Sequence, residues 1–89
     1  MNQMRLEIQN IKGLHARASA KLVEVVESFE ADATVSKDGE STSGDSIMGL
    51  LMLAASIGTF IEVKTSGPQA KELAAAIENL VADKFGEGD

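Results

Sequence analysis

The stretch Asp32-Ala33-Thr34-Val35-Ser36-Lys37-Asp38-Gly39-Glu40-Ser41-Thr42-Ser43 decides the fold. Ala33 and Val35 alternate with Thr34 and Ser36, the two-residue period of a half-buried strand. Lys37-Asp38-Gly39-Glu40 follows as an Asp-Gly hairpin turn, whose central positions want positive φ. Residues 40–43 return as a short polar strand suited to an edge of a sheet. A hairpin here speaks against an all-helical bundle.

Outward from the hairpin, strands and helices interleave. Upstream, Ala18, Leu22, Val25, Val26 and Phe29 fall on one helical face, predicting a helix from Ala16 to about Ser28. Before it, Met4, Leu6 and Ile8 alternate with Arg5, Glu7 and Gln9 as a strand, joined by a loop over residues 10–13. Downstream, Asp45-Ser46 forms an N-cap for a helix from Ile47 to about Leu53. A strand over residues 60–65 places Ile61, Val63 and Thr65 on one face. Gly67-Pro68 opens the last helix, with Pro at its first position and Ala70, Leu73, Ile77, Leu80 and Val81 as its stripe. Residues 86–89 read as a polar, frayed tail. The order βαββαβα predicts an α+β fold, a four-stranded antiparallel sheet with three helices on one face.

Composition narrows the function. Eighty-nine residues, 44% hydrophobic and 25% charged, predict one globular domain over residues 1–89 with a small core. A net charge of −6 and three Phe without Trp or Tyr argue against nucleic acid as partner. No Cys excludes a disulfide, a thiolate nucleophile and a Cys-based zinc site, and one His excludes a His-rich metal site. The carboxylates lack calcium-loop spacing, so no metal and no cofactor is expected. Residues 1–10 lack an apolar signal core, making cytoplasmic residence the default, and the chain is expected to be a monomer. Residues 46–61 carry no charge, but a bilayer needs ~20 apolar residues, and Gly49, Ser56, Gly58 and Thr59 interrupt the run. No membrane insertion is expected.

His15 is the one candidate for chemistry. It sits in Gly13-Leu14-His15-Ala16-Arg17, where the helix begins. An imidazole in water titrates near ~6.5, so at pH 7 one ring nitrogen keeps a free lone pair. The helix N-terminus offers the backbone N–H groups of Ala16, Arg17 and Ala18 and partial positive charge. Arg17 adds a planar fork of donors matched to a phosphoryl group. Between Glu7 and Glu24 there is no acidic residue, but Lys12, Arg17 and Lys21 are present, a local reversal of sign. The commonest fate of a lone His or Arg at a helix start is a solvated surface residue. The neighbourhood favours an anion site instead. In the second helix Leu50 and Leu53 supply the core face. Ile47, Met48 and Leu51 are then partly exposed as a docking patch, bordered by Ala20 and Lys21.

Gly13-Leu14-His15-Ala16-Arg17 and Asp45-Ser46-Ile47-Met48-Gly49-Leu50 together resemble the HPr family, the histidine-containing phosphocarriers of the bacterial phosphotransferase system, including its nitrogen-branch NPr members. The resemblance covers essentially the whole chain. It implies an open-faced β-sandwich and a carrier rather than an independent enzyme. It implies that His15 takes phosphate through Nδ1 from Enzyme I, charged by phosphoenolpyruvate, and passes it to an Enzyme IIA-type acceptor. Arg17 would assist. Ser46 matches the family's regulatory serine, the target of an HPr kinase/phosphorylase in some bacteria. Two positions depart from the family pattern. Ala18 stands where Pro is usual, which keeps the helix and adds a backbone donor. Lys12 stands where Asn or Ser is frequent.

Two other classes compete. An acyl carrier would use Asp45-Ser46 to hold phosphopantetheine, but such carriers are helical bundles with acidic residues after the serine. An RNA-binding α/β module is disfavoured by charge and by the missing aromatics.

Overall fold

The computed structural model describes residues 2–87. The elements are β1 (Asn2–Glu7), α1 (Ala16–Glu27), β2 (Asp32–Lys37), β3 (Glu40–Ser43), α2 (Ile47–Met52), β4 (Phe60–Ser66) and α3 (Ala70–Ala82), then a short turn of 3-10 type over residues 84–86. The helix ends at Glu27 and Met52 fall one residue short of the expected ones, within normal fraying.

The Asp-Gly turn forms as its sequence demands. Asp38 and Gly39 both have positive φ, 52° and 86°, and the register pairs Lys37 with Glu40 and Val35 with Thr42. The sheet runs β1-β4-β2-β3, antiparallel at every pairing, with the polar β3 at one edge. β4 is central, and alternation puts Ile61, Val63 and Thr65 on its buried face. That face carries the helices. Leu22 of α1, Leu50 of α2 and Leu73 and Ile77 of α3 are fully buried in one core with Ile8 and Val35. A four-stranded sheet rules out the helical bundle of an acyl carrier.

Two glycines are dictated by close approach. Gly13 has φ +65°, and a Cβ there would run into the Ala55 carbonyl. A Cβ on Gly49 would collide with the Thr42 side chain, so Gly49 is what lets α2 lie against β3.

One expectation at α3 needs correction. Pro68 lies ahead of the helix, not at its first position, which is Ala70. The Ala70 amide donates to the Gly67 carbonyl at 3.1 Å, closing a turn with Pro68 at its second position, where a fixed φ is favoured. Gln69 then anchors the turn, its amide donating to the Glu30 carbonyl at 3.0 Å.

Candidate functional site

The Gly13 turn sets the start of α1. Leu14, buried, donates its amide to the Ala55 carbonyl at 2.8 Å. His15 follows as N-cap with extended backbone, φ −76° and ψ −176°, and its carbonyl accepts the Ser19 amide at 2.8 Å. Its side chain makes no capping bond. The amides of Ala16, Arg17 and Ala18 therefore have no protein acceptor among the described residues. The sequence reading placed an anion site there, and the backbone presents its donors.

The imidazole is held from the far end of the chain. Its Nε2 meets the Glu87 carboxylate. An ionised carboxylate only accepts, so the proton of this contact belongs to Nε2 and the lone pair to Nδ1. Nδ1 has no protein partner among the described residues. The ring is about a quarter exposed, 27%, enough for an incoming group to reach it.

Glu87 contradicts the expectation of a frayed tail. Residues 88 and 89 of that expectation lie outside the described residues, but Gly86 and Glu87 are ordered against the domain. Phe85 is fully buried in the core, an anchor of the size whose loss typically costs about 3–5 kcal/mol. Lys84, Phe85 and Gly86 all take left-handed φ, 54°, 55° and 75°, which turns the chain back toward α1. Lys21 Nζ donates to the Phe85 carbonyl at 2.8 Å. Asn10, fully buried, donates through Nδ2 to the Gly13 carbonyl at 2.8 Å and to Glu87 at 3.0 Å. Its amide orientation follows from these partners, since both are acceptors. Hydrogen bonds from Asn10 and then His15, with the nearby charges of His15 and Lys12, hold the Glu87 carboxyl below its ordinary range.

Lys12, Arg17, Lys21, Gly86 and Glu87 line a cleft of about 290 Å³ beside the ring. Arg17 is exposed and has no carboxylate partner among the described residues, leaving its guanidinium free to swing. A larger depression of about 520 Å³ lies elsewhere, lined by Arg5, Phe60, Glu62 and the hairpin turn, with neither imidazole nor helix terminus. Its size carries no chemistry.

α2 begins differently. Ser46 is N-cap, and its Oγ accepts the Gly49 amide at 3.0 Å, a cap that typically stabilises by ~1 kcal/mol over Ala. Leu50 is fully buried, whereas Ile47, Met48 and Leu51 are 41%, 70% and 36% exposed. Met52, at 76%, extends this apolar surface and was not among the expected residues. Ala20 is half-buried on α1. Lys21, on the same helix, donates to the Phe85 carbonyl and lines the cleft.

An open-faced sandwich with a partly exposed histidine ahead of helix amides that lack acceptors among the described residues defines a class of small phosphoryl carriers. The chain belongs to the HPr family of phosphotransferase-system phosphocarriers: residues 2–83 match the family described as "PTS HPr component phosphorylation site". It is 43% identical over 89 residues to the phosphocarrier protein HPr of Cupriavidus necator, covering 100% of both chains. It is 39% identical over 83 residues to the phosphocarrier protein NPr of Escherichia coli, covering 92% of each. The crystal structure of HPr-C-His from Thermoanaerobacter tengcongensis superposes with a TM-score of 0.93 at 34% identity, covering 98% of each chain. These relatives are carriers, and the chain's role is that of a phosphocarrier rather than an independent catalyst. No helix among the described residues is long and apolar enough to cross a membrane.

Proposed function

We propose that His15 accepts a phosphoryl group on Nδ1 from Enzyme I and gives it to an Enzyme IIA-type acceptor. The observation that carries this reading is the N-cap imidazole that makes no capping bond and stands before the amides of Ala16, Arg17 and Ala18, none of which has a protein acceptor among the described residues. The Nδ1 lone pair forms the new N–P bond as the bond from phosphorus to the donor breaks, its electron pair staying with the donor. The phosphoryl oxygens then accept from the amides of Ala16, Arg17 and Ala18 and from the Arg17 guanidinium. An exposed helix terminus typically stabilises an anion by only ~0.3–1 kcal/mol. Weak retention suits a carrier, because the group has to leave again.

Ile47, Met48 and Leu51, with Ala20 and Lys21 at the border, form the docking surface for both partners. Exposed apolar side chains on a short helix support this, since α2 needs only Leu50 for the core. Ser46 is the regulatory site for an HPr kinase/phosphorylase. Its Oγ accepts from Gly49 but retains a hydroxyl proton to lose, so capping and phosphorylation are compatible. The protein works as a cytoplasmic monomer over a single domain, without metal, cofactor or nucleic acid.

Incubation with Enzyme I and radiolabelled phosphoenolpyruvate tests this. One acid-labile phosphoryl group per chain, chased by an Enzyme IIA protein, is expected. No label, or label stable to acid, would overturn it.

A further inference from the structure

The carboxylate of Glu87 has no part in the reading above, although among the described residues it is the one group bonded to the His15 ring. Its side chain is only 10% exposed. A mobile tail would not bury an acidic side chain. This one is built in: Phe85 anchors the turn in the core, Lys21 ties down the Phe85 carbonyl, and Asn10 fixes the second carboxylate oxygen. Asn10 is itself pinned to Gly13, two residues before His15. Tail, loop and ring are thus one hydrogen-bonded unit.

We propose that Glu87 is a positioning residue for phosphoryl transfer, holding the Nε2 proton of His15 in both the free and the phosphorylated protein. In the free state the bond directs the lone pair to Nδ1. When Nδ1 takes the phosphoryl group, no proton is lost: the N–P bond uses that lone pair, and the ring with Nε2–H becomes cationic. Glu87 then faces that cation. Its effect on the next step follows from leaving-group chemistry. With Nε2 protonated, breaking the N–P bond releases a neutral imidazole. Without that proton it would release an imidazolate, a far poorer leaving group. By keeping the proton in place, Glu87 extends the pH range over which phosphate moves on.

The charged groups around the pair are Lys12 from the loop and Arg17 and Lys21 from α1, all cationic and all lining the cleft. They oppose a ring cation; Glu87, the one acidic group among the described residues lining that cleft, counters them. Hydrogen bonds from Asn10 and His15, with the charges of His15 and Lys12, favour the ionised carboxylate.

This inference rests on His15 as acceptor, and its test separates the two. In the unphosphorylated protein, nitrogen-15 NMR of the His15 ring at neutral pH is expected to show the proton on Nε2 in slow solvent exchange. Glu87→Gln keeps the shape and an acceptor for Asn10 but removes the charge, so its exchange should quicken several-fold. In the phosphorylated proteins, the pH at which the ring sheds its Nε2 proton should fall by on the order of one unit in Glu87→Gln, as loss of a nearby opposite charge dictates. Glu87→Asp should recover part of that shift. A proton on Nδ1 in the wild type, or the same titration midpoint in wild type and Glu87→Gln, would overturn the role of Glu87. Failure of His15 to take phosphate would instead overturn the acceptor reading. The ring measurement on the free wild-type protein needs neither variant nor phosphate.

Discussion

The two helix starts that carry the chemistry-bearing residues are built on opposite plans. At α2 the cap is closed: Ser46 Oγ takes the Gly49 amide. At α1 it is open: His15 occupies the same N-cap position, yet its side chain leaves the first-turn amides alone and turns to Glu87. A closed cap spends its donors on stability. An open one keeps them for a ligand, and its residue is free to do chemistry. On the function proposed above, the comparison accounts for one small domain holding a transferable phosphoryl group at one helix start and a separate control point at another.

The sharpest way to break the comparison is to remove each cap. His15→Ala should bring phosphoryl uptake to background. Its stability should stay within about 1 kcal/mol of wild type, since only a partly exposed contact is lost. Labelling and a urea melt on the same sample would show both. Undiminished uptake would sink the assignment. Met48→Glu comes next. Met48 is 70% exposed, so stability should change by less than about 0.5 kcal/mol, while association with Enzyme I weakens about tenfold or more. Calorimetric titration beside thermal melts decides. A large fall in melting temperature with unchanged affinity would make it a packing residue.

Ser46→Ala should do the reverse of His15→Ala: about 1 kcal/mol less stable, with phosphoryl uptake little changed. The smallest effect is acidic. Glu87 has a folded pKa below its ordinary 4.5, so its contribution to stability is complete above that value and is lost as pH falls through the lower folded value. Acid unfolding of Glu87→Gln should lack this component. Identical acid curves would mean that the tail contact adds nothing.

Much of this was legible from local sequence. The hairpin follows from Asp38-Gly39 and the alternation on both sides of it, and β4 from Ile61, Val63 and Thr65. The Ser46 cap is equally local, since its bond spans three residues. The carboxylate on His15 was not legible, because that contact spans 72 residues. It also depends on left-handed φ at Lys84 and Phe85, a backbone that their side chains disfavour and that local propensity would never suggest. One clue was present: Phe85, a large apolar residue inside an otherwise polar tail and followed by Gly. Asn10 escaped for a related reason. In a loop it reads as a turn former, and its two acceptors became evident only once the tail was in place.

The most direct measurement is the change in backbone amide NMR shifts when the protein is phosphorylated through Enzyme I. The account predicts that Ala16, Arg17 and Ala18 shift most, because phosphoryl oxygens take donors that the protein left open. It predicts that Gly49, already bonded to Ser46, shifts little. Shifts centred on Gly49 with the first turn of α1 unmoved would contradict it.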